Sequence, residues 1–359
     1  MNTPSGPVLP MAERRKLGDK LRAQKDSLAL ELSDALYLRH AEWLVRFGEP
    51  GKRKCSEDVG YHLEYLAAAI EGDSICAFED YARWLASMFA SRGIASERTV
   101  ETFEQIRILV GRQTSPVEGS IVARFIERAC AALTSAHNET MAAPKSSLMA
   151  QERSVFLNAL LKGPRKLTAT IPLEALRQGC ALTDIYVEIY QESLYEIGRL
   201  WETNQITVAQ EHMATATVQW SIAQLYPHIE LPPTPRGNAI ITGVQGEHHQ
   251  VGANLVADAL EAEGWNVRFL GTNMPHAGIL EAIEEHEAKL VGISVTMLTN
   301  VPQLRQLIGE VKRRFGNEKP RVVLGGAAFR NSSELAVELS GGDPCLDVRA
   351  ALEMCNRPD

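Results

Sequence analysis

No stretch of this 359-residue chain approaches twenty consecutive apolar residues, so the sequence offers no membrane span. Its start, Met-Asn-Thr-Pro-Ser-Gly-Pro, lacks the apolar segment of a secretory signal. The six cysteines, at positions 55, 76, 130, 180, 345 and 355, never stand as a Cys-x-x-Cys pair. They suit the buried or surface thiols of a cytoplasmic protein. Cations are in the minority: 37 Lys and Arg against 45 Asp and Glu leave a formal net charge of −8. Broad nucleic-acid binding is therefore not expected. Kinase, cyclase and phosphodiesterase signatures are missing as well.

What is present divides into three parts: a helical N-terminal domain over 1–145, a four-helix bundle over 146–232, and an α/β domain over 236–359. In the first, apolar spacing predicts helices over 11–46, 55–71, 75–92, 97–113 and 116–140. Gly48, Pro50-Gly51, Gly72-Asp73, Gly93 and Pro116 punctuate them. Pro144-Lys145-Ser146-Ser147 reads as a linker. Arg14, Arg15, Lys16, Lys20, Arg22 and Lys25 form a basic run interspersed with Glu13 and Asp19, which reads as a solvated helix face.

In the bundle, Thr183-Asp184 caps a helix that runs to about Thr203. Its apolar positions, from Ile185 through Leu200 and Trp201, recur at three- and four-residue steps. Thr207-Val208-Ala209-Gln210 fits a capping box opening the next helix. Trp201 thus falls near one helix end, and Glu211 and His212 in the first turns of its neighbour.

In the α/β part, residues 239–244 read as a buried strand and Ala253–Glu263 as a helix closed by Gly264. The loop between them is Gln245-Gly246-Glu247-His248-His249-Gln250-Val251-Gly252. It lies at the carboxyl end of a strand, where open α/β sheets bind ligands. A neutral imidazole there can ligate a transition metal. A carboxylate two residues earlier can hold the proton on its other nitrogen. Ser294-Val295-Thr296-Met297 closes a later strand, Lys289–Thr296, and Gly325-Gly326-Ala327 follows the strand Arg321–Leu324.

Glu-x-His-x-x-Gly, Ser-x-Thr and Gly-Gly, in that order, resemble the pattern of the Rossmann-like, flavodoxin-type cobalamin domain. Methionine synthase, B12 mutases, corrinoid methyl carriers and CarH-type photoreceptors share that domain. The resemblance implies a doubly wound parallel sheet with His249 as the lower ligand to cobalt. The cofactor's nucleotide tail would lie in a slot lined by Ser294, Thr296, Gly325 and Gly326, where glycines leave room, and Met297 and Ala327 would belong to the same cofactor site.

The bundle resembles the helical cap of corrinoid proteins. Trp-x9-Glu-His is similar to CarH-like light sensors, which places Trp201, Val208, Glu211 and His212 over a 5′-deoxyadenosyl group. In several such sensors a His follows the Trp and captures cobalt after illumination. Here that residue is Glu202, so a bis-His adduct through this position is excluded.

The N-terminal third does not look like the winged DNA-binding domain of those repressors. The chain is instead similar to stand-alone receptors of this kind, some of which also bind a bilin such as biliverdin. His40, Arg39, Arg46, His62, Tyr61, Tyr65, Tyr81, Arg83 and Trp84 supply suitable side-chain types. The expectation is a signalling photoreceptor, not an enzyme, that binds 5′-deoxyadenosylcobalamin and acts through a change of oligomer (a dimer) or of signalling partner. The alternatives are a corrinoid methyl carrier of a methyltransferase system and a B12 storage or chaperone module.

Overall fold

Glycine, proline and a few tertiary contacts together set the lengths of the N-terminal helices. The computed structural model describes residues 9–135, 149–330 and 333–357. The expected linker at Pro144–Ser147 and the end of the helix expected to reach residue 140 lie outside the described residues. The chain divides into two compact units, Met1–Thr140 and Met141–Asp359.

The first unit contains α1 (Met11–Arg39), α2 (Ala41–Gly72), α3 (Ile75–Ala90), α4 (Ser96–Gly111) and α5 (Pro116–Ser135). The helix expected over 11–46 ends sooner, at His40, whose φ of −115° and ψ of 65° leave the helical region. No glycine or proline stands there. The His40 ring stacks on Trp43 at 4.4 Å, and its Nε2 lies 2.8 Å from Glu101. Those contacts accompany a corner that local propensity did not signal. The expected break at Gly48 is a kink inside α2, with φ at 63°, a conformation glycine enters without strain.

The basic run on α1 is not simply solvated. Arg14 pairs with Asp73 at 2.7 Å, Arg22 with Glu71 at 2.5 Å and Lys25 with Glu64 at 2.6 Å. Lys20 donates to the Gln113 carbonyl. Gly18 leaves the space that Glu71 fills.

The second unit opens with four helical rods. These are α6 (Ala150–Lys162), α7 (Arg165–Arg177), a composite third rod, and α10 (Val208–Leu225). The third rod joins α8 (Leu182–Asp184), a wider π-wound stretch at Ile185–Gln191, and α9 (Glu192–Glu202). The capping box at Thr207 forms as expected: Oγ1 accepts from Gln210 N, and Gln210 Oε1 accepts from Thr207 N.

The sheet follows, with β1 (Gly237–Gly243), β2 (Trp265–Phe269), β3 (Leu290–Ser294) and β4 (Arg321–Gly325). All three pairings are parallel, in the order β2-β1-β3-β4. Five helices accompany it: α11 (Val251–Ala262), α12 (His276–Glu285), α13 (Val301–Phe315), α14 (Ser333–Ser340) and α15 (Val348–Asn356). The fold is the helical region plus doubly wound α/β domain that the sequence implied. The strand order reverses between β1 and β3, so the ligand-accepting crevice lies over their carboxyl ends.

The bundle and the sheet share one apolar core, running from Phe156, Tyr186 and Tyr190 through Leu255 and Leu260 to Ile241. Polar bonds fasten the same interface. Tyr186 donates to Asp258 at 3.1 Å, Tyr226 to Glu261 at 2.6 Å, and Arg349 to Asp184 at 2.7 Å. Among the described residues, no helix is long and apolar enough to cross a membrane.

Candidate functional site

The crevice is organised by one buried carboxylate. Glu247 is 0% exposed and still accepts five hydrogen bonds. Its Oε1 receives His249 N at 3.0 Å and His249 Nδ1 at 2.6 Å. Its Oε2 receives Thr296 N at 2.8 Å, Met297 N at 3.2 Å and Asn300 Nδ2 at 3.1 Å. Burial alone pushes this carboxyl up. The bonds from His249 and Thr296 outweigh it and bring the pKa down to about 2. An ionised Glu247 is therefore the organising state, and burying such a charge is tolerable because every direction is hydrogen-bonded.

His249 answers to that carboxylate. Its bond to Glu247 raises its pKa, burial opposes the rise, and the Glu211 carboxylate adds to it. With Nδ1 committed to Glu247, Nε2 is the outward nitrogen, and the side chain is 57% exposed. In the neutral form this leaves a lone pair on Nε2 facing solvent.

The loop is shaped by two asparagines and two glycines. Gly246 adopts φ of 87°, and its N–H donates to Asn273 Oδ1 at 2.8 Å. Asn300 Oδ1 lies 3.0 Å from where a Gly246 Cβ would sit. Gln245, His248 and Gln250 are exposed, and Val251 is buried as the first residue of α11. Gly252, just beyond, faces open space, with nothing within 4 Å of a Cβ added there.

Across the crevice, Ser294 pairs in register with both Gly243 and Gly325, so three strand ends share one row. Thr296 and Met297 join the site through their backbone N–H groups. The sequence reading assigned Gly325 and Gly326 the task of leaving room for a ligand. The structure supplies another reason. A Cβ on Gly325 would sit 2.8 Å from the Cys345 carbonyl oxygen, and one on Gly326, at φ of 106°, would collide with the Val295 backbone. These glycines let chain pass chain. Ala327 is exposed beside them.

On the bundle side, Trp201 is half-buried one residue before the end of α9. Val208 is exposed at the first turn of α10. Glu211 Oε1 accepts from Thr215 Oγ1 at 3.0 Å, and its field reaches His249. His212 is 76% exposed and turns back on its own helix, with Nδ1 at 3.0 Å from Val208 O and 2.7 Å from Glu211 Oε2.

The residues considered for a linear tetrapyrrole are engaged elsewhere. His62 is buried, bonded to Tyr81 at 2.7 Å and lowered by burial to about 3. Tyr65 stacks on Tyr81 at 3.8 Å, and the Trp84 ring lies 6.0 Å from Tyr81. Arg39 and His40 both meet Glu101, Arg46 lies over Phe47, Lys54 approaches Tyr61, and Arg83 pairs with Asp80.

Among the described residues, no group of three or more His, Cys, Asp or Glu could enclose a metal ion. One outward imidazole suits a metal that arrives with its own equatorial donors, as in a macrocycle. The open space at Gly252 suits a bulky ligand above the loop. Residues 237–350 match the family B12 binding domain, and residues 153–226 match a second family of the same description. This is a cobalamin-binding protein.

Its relatives refine the picture. Methionine synthase of Mycobacterium tuberculosis is 30% identical over 138 residues, 38% of this chain and 12% of that enzyme. Dimethylamine corrinoid protein 1 of Methanosarcina acetivorans is 29% identical over 137 residues, 37% of this chain and 63% of that protein. The cobalamin-binding chain thus spans less than two thirds of either relative. The solved monomethylamine corrinoid protein of Methanosarcina barkeri matches 57% of this chain and 95% of its own at 22% identity, with a TM-score of 0.47. The relation to methionine synthase overturns the expectation that the chain is not an enzyme.

The sequence reading missed Asn300 and Asn273. Asn300 stands directly before a helix, a position where Asn is commonplace as a cap. Asn273 sits in a turn at φ of 58°, where Asn is commonplace.

Proposed function

We propose that this chain is a corrinoid-carrying component of a methyl-transfer system. The observation that supports this best is the Glu247–His249 pair at 2.6 Å, which turns Nε2 outward at the carboxyl end of β1. When bound, the corrinoid supplies a cobalt centre able to take up and pass on a methyl group. His249 would hold the cobalt from below through Nε2. Glu247 would hold the proton on Nδ1 and raise the basicity of the ligating nitrogen. Ser294, Gly325 and Gly326 would border the nucleotide tail, and Trp201, Val208 and Glu211 would stand over the upper face. The fitting partner is a methyltransferase subunit.

The test loads the purified chain with hydroxocobalamin and follows its absorption spectrum through gel filtration. One equivalent is retained with a His-ligated spectrum, and His249→Ala binds more weakly and loses that spectrum. With a methylamine- or methanol-type methyltransferase and a labelled methyl donor, the loaded chain takes up label. A chain that retains no corrinoid, or an unchanged spectrum in His249→Ala, refutes the assignment.

A second reading, an adenosylcobalamin-based light response, draws on one feature. Trp201 lies one residue before the end of α9, and the following helix α10 carries Glu211, whose carboxylate acts on His249. An indole would pack against an adenosyl group there, and the readout would be a change of oligomer or partner. On this reading Trp201→Ala releases adenosylcobalamin but keeps hydroxocobalamin, and green light changes the hydrodynamic size. Equal loss of both forms counts against it. Neither reading assigns a bilin to the N-terminal unit.

A further inference from the structure

The N-terminal unit carries a groove between α1 and α2, with a volume of about 520 Å³. Small residues one turn apart line it from both helices: Ala29 and Ser33 on α1, Ser56 and Gly60 on α2. Gly60 stands inside a helix, where glycine is less stable than alanine. Yet a Cβ added there meets only the Lys25 side chain, at an ordinary 3.8 Å. Packing within the unit therefore does not require glycine at this position, and its missing side chain keeps the groove open. Leu30 and Tyr61 also line the groove, and each is more than half exposed. Leu38, two turns beyond Leu30 on the same face of α1, is 85% exposed and extends the apolar stripe.

The charges around the groove are unevenly paired. Lys52 meets Asp34 at 2.7 Å, Lys25 meets Glu64 at 2.6 Å, and Lys54 meets Glu57 at 3.1 Å. Among the described residues, Asp26 on α1 and Arg53 on α2 make no hydrogen bond or ion pair. Glu49, the other unpaired charge lining the groove, shares a wall with Arg53. One wall thus holds an unanswered anion and the other an unanswered cation. In a twofold contact, residue i of one copy meets residue j of the other and j meets i, so a face of this kind is complementary to itself. We propose that the α1–α2 groove is the surface through which two copies of this chain associate. Leu30 of each copy enters the groove of the other, and the small residues let the helices approach closely. Asp26 of each copy faces Arg53 of the other, which fixes the register and rejects other partners. The association does not depend on the cobalamin site.

The test is sedimentation velocity of the full, ligand-free chain at micromolar concentration and moderate salt. The wild type sediments with twice the mass of one chain. Arg53→Glu, which sets two acids face to face, and Gly60→Leu, which fills the groove, shift to the mass of one chain while keeping native circular dichroism. The double variant Asp26→Arg with Arg53→Glu restores the pair with its signs exchanged and returns to twice the mass. Should Gly60→Leu fail to fold, the two charge variants, both at exposed positions, carry the test alone. A wild type with the mass of one chain overturns the proposal, as does a folded single variant that still dimerises like the wild type. A double variant that stays at the mass of one chain overturns it too, because the pairing of Asp26 with Arg53 is what assigns the second copy to this groove.

Discussion

The Tyr186 hydroxyl donates to the Asp258 carboxylate at 3.1 Å, joining the helical bundle to the helix that follows the site loop. Burial raises this carboxyl to about 7, partly offset by the Tyr186 bond, and the neighbouring Glu261 adds a small push. Tyr190 and Tyr226 also face it, and Glu261 is the charged group named beside it. The interface thus favours a protonated Asp258.

A pH dependence follows from the sign of that shift. Between the ordinary carboxylate range and about 7, the unfolded chain loses this proton while the folded chain keeps it. Stability therefore falls as pH rises through that window, by on the order of 4 kcal/mol from this group. Urea unfolding of Asp258→Asn, which keeps an acceptor for Tyr186, should have a flatter profile between pH 4 and 7. A slope identical to wild type would show that Asp258 ionises freely in the fold.

Removing the carboxylate of Glu247 strands its donors. In Glu247→Ala the N–H groups of Thr296 and Met297, the Asn300 amide and both His249 donors lose their acceptor. Unsatisfied buried donors cost about 1–3 kcal/mol each where water cannot reach them. The unfolding midpoint should drop by an amount equivalent to roughly 3 kcal/mol. Glu247→Gln, which keeps an acceptor, should lose less. Equal stability of Glu247→Ala and wild type would mean that the loop holds itself.

Two glycines near the crevice should respond in opposite ways. Gly326→Ala places a Cβ into the Val295 backbone at φ of 106°. It should cost several kcal/mol, on the order of the strain and overpacking penalties. Gly252→Ala meets nothing within 4 Å and stands in α11, so it should raise stability by roughly 0.5–1 kcal/mol. Gly252→Ala should nevertheless weaken hydroxocobalamin binding, because its methyl group projects where the macrocycle is proposed to lie. Calorimetry of both variants, with binding measured on the folded one, separates packing from ligand space.

The capping box offers a smaller effect. Thr207→Ala loses the acceptor for Gln210 N and should destabilise the second unit by about 1 kcal/mol. Because Glu211 lies in the turn so capped, the effect of Glu211 on the His249 titration should weaken as well. A nuclear magnetic resonance titration of His249 in Thr207→Ala would reveal an unaltered coupling if the cap did not matter.

Much of this was readable in the chain because it is local. The strands at 239–244 and 321–324 are short apolar runs between turn residues, and the capping box at Thr207 is written in four consecutive positions. The corner at His40 was not readable, since it coincides with contacts to Trp43 and Glu101 rather than with a breaker. The need for glycine at 325 and 326 was legible, but its cause was not. The cause lies in backbone segments that approach from elsewhere, at Cys345 and Val295.

Local periodicity and a few short motifs, read in order, therefore determined the helical bundle, the parallel sheet and the loop that carries His249. Only the tertiary structure decided that Asn300 abandons its helix for Glu247, that Arg39 is occupied by the distant Glu101, and that Tyr186 meets a carboxyl whose pKa burial raises. Secondary structure and turn chemistry depend on neighbours along the chain. Hydrogen-bond partners and burial depend on which distant segments share space, and that is settled only when the layers pack.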